Sequence, residues 1–272
     1  SAALEVAAGK TANFTGTITD ASAVGVSYLT KTGDGALNLT GTNTYTGATQ
    51  VNAGTLLVGD GTSGSLAATV VTVGGATATG TPTLGGRGTI GGATTIAAAS
   101  GGVVGTHAPG IAGVNNGVGS QTFSSTLNYG SGSIFEWDLS AASASDIGVV
   151  ADSATGTYDT VVANGAVTGG SAIFKVMLGG NTFADAFWDT DKSWSNIFSG
   201  TGAPVSLASI FSSFSATGGL DSTGVVDSEG QFTFNGSTAT LNWTAYSAVP
   251  EPTSALAGIL LGAGLLRRKR SA

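Results

Sequence analysis

The sequence predicts an all-β chain wound into a solenoid, with a small C-terminal β/helical cap and then a short hydrophobic C-terminal helix. Three observations point there. Two short apolar runs, Ala36-Leu37-Asn38-Leu39 and Thr55-Leu56-Leu57-Val58, each follow a glycine-containing turn. Their leucines Leu37 and Leu56 stand 19 residues apart, with a weaker beat at Thr49-Gln50-Val51 between them. Short alternating strands that return at about twenty residues between Gly and Asn fit a chain coiling back on itself. Each turn lays its strands on those of the turn before, so inward Leu and Val stack into a column that no single turn could bury alone.

Composition narrows the classes. The 272 residues include 45 glycines and no cysteine, with 9% charged and 41% apolar side chains. That apolar content excludes a disordered acidic polymer. Glycine without a Gly-X-Y period excludes collagen and favours short strands with frequent turns. Without cysteine there is no disulfide framework, thiolate metal site or thiol nucleophile. The length holds one or two domains. The patterning divides it into a solenoid over 1–130, its continuation or a β-rich cap with short helices over 131–248, and a tail over 249–272.

Charge is unevenly placed. Four of the nine basic residues are Arg267, Arg268, Lys269 and Arg270. Residues 1–248 therefore carry 5 basic against 15 acidic side chains, a net of −10. Such a body offers no basic surface for phosphate backbones, so no nucleic-acid partner is expected. No signal peptide precedes Ser1, and export requires that segment to have been removed or to lie outside these residues.

Residues 1–30 read as an entry turn, with alternation over Asn13 to Ile18 and again over Val26 to Leu29. The stretch Lys31 to Val58 then carries Lys31, Thr32, Gly33, Gly35, Leu37, Leu39, Gly41, Asn43, Tyr45, Gly47, Thr49, Val51, Gly54, Leu56 and Val58 in register. This pattern resembles the autotransporter-associated β-strand repeat of secreted passenger proteins. The resemblance implies a right-handed parallel β-helix and an extracellular location; it implies no activity. Tyr45 is expected to pack across a turn, with Asn43 hydrogen-bonding its local backbone.

From Gly59 to Gly130 the strands continue less regularly, the clearest being Thr69 to Val73. Gly86, Gly88 and Gly91 spell G-x-G-x-x-G. A dinucleotide site needs a helix after that motif and an acidic residue about twenty positions on. Threonines and more glycines come next instead, so a solenoid corner is expected. His107, the single histidine, has no cysteine or carboxylate near it in sequence and no visible metal or triad partner. It sits in Gly105 to Gly110, which resembles the repeat family's Ala-Pro-Gly turn after a coil.

Residues 121–178 carry longer strands, at Thr122 to Leu127, Ser133 to Leu139, Thr160 to Val162 and Ala172 to Leu178. Glu136 and Asp138, two apart, share a face. Paired carboxylates suit glycoside hydrolysis or calcium; the plainer expectation is a solvated face with Phe135, Trp137 and Leu139 turned inward. Over 181–218 the β pattern breaks. Thr182 to Asp185 reads as a capping box opening a short helix with Phe183 and Phe187 at i and i+4. Leu207, Ile210, Phe211 and Phe214 fall at i, i+3, i+4 and i+7 and predict an amphipathic helix covering the solenoid. Between them, Trp188 and Trp194 stand among Asp185, Asp189 and Asp191. This is the candidate contact site for carbohydrate or Ca²⁺, with packing against the cap as the competing role. Gly230 to Thr244 reads as a closing hairpin turning at Asn235-Gly236.

The tail places Pro250-Glu251-Pro252 before an apolar run, Ala255 to Leu266, and then Arg267 to Arg270. Ser254 to Leu266 is about 20 Å as a helix, short of the ~30 Å hydrocarbon core, which suits a transient stop in the membrane. The order of tripeptide, greasy run and basic cluster closely resembles the PEP-CTERM sorting signal of Gram-negative bacteria. The resemblance implies export, recognition by an exosortase-type membrane protease and cleavage near the motif. Delivery is then to the cell surface or extracellular matrix. No barrel-sized region is present, so self-transport through an own pore is not expected.

The functional expectation is an exported, non-enzymatic surface or matrix protein, structural or adhesive, with no cofactor, no metal and no catalytic residue. Extracellular polysaccharide is the expected matrix partner, and end-to-end stacking is expected if the solenoid ends are uncapped. The alternatives are a polysaccharide-binding module and a β-helix polysaccharide lyase or hydrolase.

Overall fold

A computed structural model describes residues 2–22, 25–114, 117–140, 158–178, 182–204, 206–216, 220–227, 229–236 and 238–246. The apolar run Ala255 to Leu266, and with it the expected C-terminal helix, lies outside the described residues. So do the sorting tripeptide Pro250, Glu251 and Pro252 and the basic cluster Arg267, Arg268, Lys269 and Arg270.

Three parallel ladders form the body, each receiving about one strand per coil. The first stacks Ala2–Glu5, Leu29–Thr32, Thr49–Val51, Val71–Val73, Thr94–Ile96, Leu127–Tyr129 and Val167–Thr168. The second stacks Thr11–Phe14, Ala36–Leu39, Thr55–Val58, Thr83–Gly86, Thr106–Pro109, Ile134–Asp138, Ala172–Met177 and Phe211–Ala216. The third stacks Thr42–Asn43, Ser65–Leu66, Thr89–Ile90, Ser120–Phe123, Thr160–Ala163 and Phe198–Ser199. Parallel strands each need a crossover, and here the crossover is the rest of the coil. This is the arrangement of a β-solenoid.

Register fixes the core. In the second ladder Leu37, Leu56, Leu84, His107, Phe135, Phe174 and Phe214 succeed one another as direct partners. Leu39 pairs with Val58 one step along, and Leu37, Leu39, Leu56 and Val58 are all buried in one cluster. Strand alternation points every second side chain inward, so in-register stacking converts a two-residue period into continuous interior columns. The column changes character at His107, aliphatic before it and aromatic after it.

Corners demand glycine. Gly54 has φ +60, and a Cβ there would sit 2.4 Å from the Gly35 carbonyl oxygen of the coil below. Only glycine combines the left-handed turn with that approach. Coils lengthen along the chain: successive first-ladder partners Leu29, Thr49, Val71 and Thr94 are 20, 22 and 23 residues apart. The next steps, to Leu127 and Val167, take 33 and 40. The added residues lie in the connections between ladders.

Among the described residues there is no α-helix, which corrects two expectations. Thr182 to Asp185 does form half a capping box, Thr182 N–H donating to Asp185 Oδ2 at 3.0 Å. The box opens only a 3-10 turn, Ala186–Asp189, which buries Phe187 and Trp188. The stripe Leu207, Ile210, Phe211 and Phe214 is buried, as its periodicity requires, but not on a helix. A 3-10 turn, Leu207–Ser209, capped by the Ser206 hydroxyl, leads into the strand Phe211–Ala216. A register shift there pairs Ala172 with Phe211 and Ile173 with Ser213. The bulge turns Phe211 and Phe214, three apart, to the same side. An i, i+3 spacing on a bulged strand therefore imitates a helical stripe.

A four-stranded antiparallel sheet closes the C-terminal end: Lys192–Trp194, Leu241–Ala245, Gly230–Phe234 and Val225–Val226. The expected hairpin is present, its connection closed by Asn235 N–H to the Thr240 carbonyl, longer than a two-residue turn. Phe214 stacks on Phe234 at 4.4 Å between ring centroids, and Trp137 meets Trp194 edge-on at 5.4 Å. These rings join sheet and solenoid in one core.

Candidate functional site

The outer face of the second ladder carries a groove of about 660 Å³. Its floor is the outward side chains of successive coils, Asn13, Asn38, Leu57 and Ala108, with Thr11, Ala36, Thr55 and Thr83 beside them. The far end is acidic. Strand Ile134–Asp138 turns Phe135 and Trp137 inward and leaves Glu136 and Asp138 on the groove side, the shared face that the two-residue spacing predicts. The face is half-buried rather than fully solvated. Lys175 on the next coil is Glu136's direct register partner, and its Nζ lies 2.6 Å from Glu136 Oε1.

A third carboxylate backs this pair. Asp159 is fully buried; its Oδ1 accepts the Gly119 N–H at 2.7 Å and its Oδ2 the Asp138 N–H at 2.9 Å. Burial raises the Asp159 pKa well above the usual carboxylate range, and the charge of Asp138 adds to the shift. The two amide donors and Arg87 oppose it. Asp138 is pushed up to about 6, by burial first and then by Glu136, with Lys175 opposing. Chemically, the groove end offers a carboxyl able to hold a proton near neutrality beside an ion-paired carboxylate. It has no aromatic platform.

The tryptophan–aspartate cluster is arranged differently from a ligand site. Trp188 and Trp194 are buried at 1% and 0% exposure, so neither presents a face to a sugar. They pack with Phe232 and Trp243, and the Trp243 indole N–H donates to the Trp188 carbonyl at 2.8 Å. Asp185 serves the Thr182 amide and Asp191 accepts the Ala245 N–H at 3.0 Å, while Lys192 lies over the Phe187 ring. Asp189 ends the 3-10 turn. The three carboxylates do not converge, and among the described residues no three His, Cys, Asp or Glu are grouped to hold a metal ion. Packing against the cap is the role this geometry supports.

Other singled-out residues fall into the frame. Gly86 and Gly88 make the corner between Thr83–Gly86 and Thr89–Ile90, and Gly91 opens the next corner after Ile90, so the motif falls at solenoid corners as expected. Tyr45 is buried, its hydroxyl 2.5 Å from Thr49 Oγ1. Asn43 binds the local Gly41 carbonyl and also reaches Ile18 N–H and the Ser65 carbonyl on neighbouring coils.

Besides Asp159, two buried polar residues have a burial that the sequence reading did not expect. Lys31 is fully buried, its Nζ donating to the carbonyls of Thr32, Gly33 and Ala53 at 2.7, 2.6 and 3.1 Å. It caps the corners of two successive coils, a role that the Lys-Thr-Gly opening of the repeat already signals. Burial lowers its pKa, opposed by Asp34. His107 sits on strand Thr106–Pro109 rather than in a turn, fully buried, Nδ1 2.5 Å from the Tyr129 hydroxyl and Nε2 2.9 Å from Gln121 Oε1. Burial depresses its pKa to about 4. Phe123, Tyr129 and Phe135 surround the ring, so it is a core residue at the aliphatic–aromatic boundary.

Stacked parallel ladders with glycine corners define a protein of the solenoid class, one that displays a long regular flank. Within it, residues 29–58 match the family model of the passenger-associated-transport-repeat. The matched stretch spans the strands Leu29–Thr32 to Thr55–Val58 and implies an exported, surface-associated protein of the autotransporter-associated kind. No curated protein and no solved structure matches the chain.

Proposed function

We propose that the chain is a non-enzymatic structural or adhesive protein of a Gram-negative cell surface or extracellular matrix, built as a right-handed β-helical rod. The match over residues 29–58, whose every strand takes its place in the ladders, carries this reading. Sorting runs through Pro250-Glu251-Pro252, the apolar run and Arg267 to Arg270, recognised by an exosortase-type membrane protease during transient membrane contact of the tail. Stacked backbone hydrogen bonds make the rod stiff and protease-resistant. Its threonine- and asparagine-bearing flank contacts extracellular polysaccharide. Fractionation of the native host, with the intact mass of the extracellular form, tests this. The expected result is surface or matrix protein whose mass shows loss of the tail near Pro250. Full-length protein confined to the cytosol refutes it.

The groove favours a second reading, a polysaccharide-binding module or a lyase or hydrolase. Glu136 and Asp138 at the end of a cleft of this size are the observation for it. Release of reducing or unsaturated ends from pectin, alginate or cell-wall glycan, lost in Glu136→Gln and Asp138→Asn, supports it. Absence of both turnover and glycan retention by the wild type removes it.

A further inference from the structure

One flank of the solenoid is built without charge. Successive coils carry a short arc from the third ladder round a corner to the first: residues 42–50, 65–72, 89–95, 120–128 and 160–168. These arcs contain no Asp, Glu, Lys, Arg or His, and the 5 basic and 15 acidic side chains of residues 1–248 all fall elsewhere. Asp20 alone touches their margin, accepting the Thr46 amide. An ordinary protein surface is about a quarter to a third charged. The coils also grow away from this flank. Between the third and first ladders the connections 91–93, 124–126 and 164–166 stay at three residues, while the longer ones, 74–82, 97–105, 110–119 and 139–159, all adjoin the second ladder.

The flank is patterned as well as neutral. On the first ladder Gln50, Thr72, Thr95, Asn128 and Thr168 succeed one another as register partners and point outward. On the third, Thr42, Ser65, Thr89, Thr122 and Val162 do the same. All but Val162 carry a hydroxyl or an amide. Strands in a ladder lie ~4.8 Å apart, so the arcs present about 20 Å of repeating polar files. Between the two files the corner shows Ala48, Ala68, Val70 and Ala166, all exposed.

We propose that this flank is the rod's contact with its matrix and that the partner is a neutral, linear polysaccharide. The inference rests on the reading of the chain as a surface or matrix protein, and it adds the flank and the class of glycan. Burying a charge against an uncharged partner costs far more than burying a hydroxyl that finds a new hydrogen bond. A flank without charge is therefore the one that such a partner can desolvate along its whole length. Each hydroxyl, and each amide group, both donates and accepts, so the files meet sugar hydroxyls in either sense. Apolar side chains between two polar files match a pyranose ring, whose C–H faces lie between hydroxyl edges. An acidic polysaccharide finds no cation here, and the net −10 of residues 1–248 repels it.

Retention of the purified full chain on microcrystalline cellulose, chitin and insoluble β-1,3-glucan, set against alginate and pectate gels, tests it. The expected result is saturable retention on a neutral glycan and none on the acidic gels. Thr72→Glu with Thr95→Glu charges the first-ladder file, and Val70→Glu with Ser124→Glu charges the corner. Each pair weakens retention at least tenfold while the circular dichroism spectrum is unchanged. Ala76→Glu with Ala99→Glu puts the same charge on exposed positions off the flank and leaves retention as in the wild type. If the strand pair misfolds, the corner pair decides alone. Retention on the acidic gels, or neutral retention that survives the flank variants, overturns the proposal and moves the polysaccharide contact to another face. A wild type that self-associates, binds no glycan and is made monomeric by the flank variants also overturns it, and assigns the flank to a second copy. No retention on any glycan removes the polysaccharide contact itself and this inference with it, while the exported role is still decided by fractionation.

Discussion

Lys31 shows how a single residue can be part of a motif for a reason that its charge conceals. Its neighbours in the column, Leu4, Val51, Val73 and Ile96, are apolar, yet it is as buried as the last three and more buried than Leu4. The ammonium is tolerated because three carbonyls at the corners receive it. Lys31→Met keeps the stem and strands those acceptors, so urea unfolding should show a loss of about 2–4 kcal/mol. A loss under 0.5 kcal/mol would mean water already satisfies the corner. His107 gives a pH signature. Its folded pKa of about 4 lies below the ordinary 6.5, so the unfolded chain binds the extra proton between those values. Its contribution, about 3 kcal/mol, is present above pH 6.5 and lost as pH falls through 4. Asp138 works oppositely: with a folded pKa near 6 against 3.8, it favours the fold below pH 3.8 and loses that as pH rises through 6. Subtracting His107→Gln and Asp138→Asn stability curves from wild type should give slopes of opposite sign between pH 4 and 6. Slopes of the same sign would refute the environments described. The histidine's burial was not legible in the sequence, because Gly105 and Pro109 around it look like turn residues. The placement of Glu136 and Asp138 on one face was legible, from alternation alone. The third carboxylate was not, since 21 residues separate Asp159 from Asp138 and no strand period links the two.

At the scale of elements, the parallel strands of 31–58 could be read because each core position recurs at one coil length, and Leu37 meets Leu56 in register. Beyond that stretch coil length drifts, and the period ceases to predict partners. The helix expected at 207–214 failed for a local reason, the bulge opposite Ala172, which places Phe211 and Phe214 together. Trp188 and Trp194 misdirected attention for another: aromatic residues beside aspartates look alike on a surface and under a cap, and only the sheet Gly230–Phe234 with Leu241–Ala245 decides between them. Corners make the sharper prediction. A Cβ on Gly91 would stand 1.5 Å from the Ala67 carbonyl oxygen, whereas Gly236 has nothing within 4 Å. Gly91→Ala must push two coils apart and should cost more than about 2 kcal/mol, as overpacking against backbone does. Gly236→Ala should leave the thermal midpoint within a degree or two. Equal effects at both sites would show that the corner can open freely.

For the whole molecule, stability should track the gradient in core chemistry. A solenoid behaves nearly as a one-dimensional array, each coil held by its own burial and its two neighbours. Among the described residues, Ala2–Glu5 and Thr11–Phe14 are the outermost strands of their ladders and are largely exposed. The coils to Leu84 are filled mainly by leucine and valine, with Tyr45 the one buried aromatic among the described residues there. From His107 onward the interior holds Phe123, Tyr129, Phe135, Trp137, Phe174, Phe198 and Phe211, each in contact with other rings, and the cap adds Trp194, Phe232 and Trp243. Aromatic pairs contribute about 0.5–1.5 kcal/mol beyond the area they bury, and the sheet removes the free end there. Opening should therefore run from the N-terminus inward. Native-state hydrogen exchange should find amides of 2–14 exchanging first, those of 36–58 at intermediate free energy, and those of 134–138 and 172–177 only with global unfolding. Uniform protection along the ladders would mean that the coils fold as one cooperative block, and that the aromatic interior adds nothing local to the coils it fills.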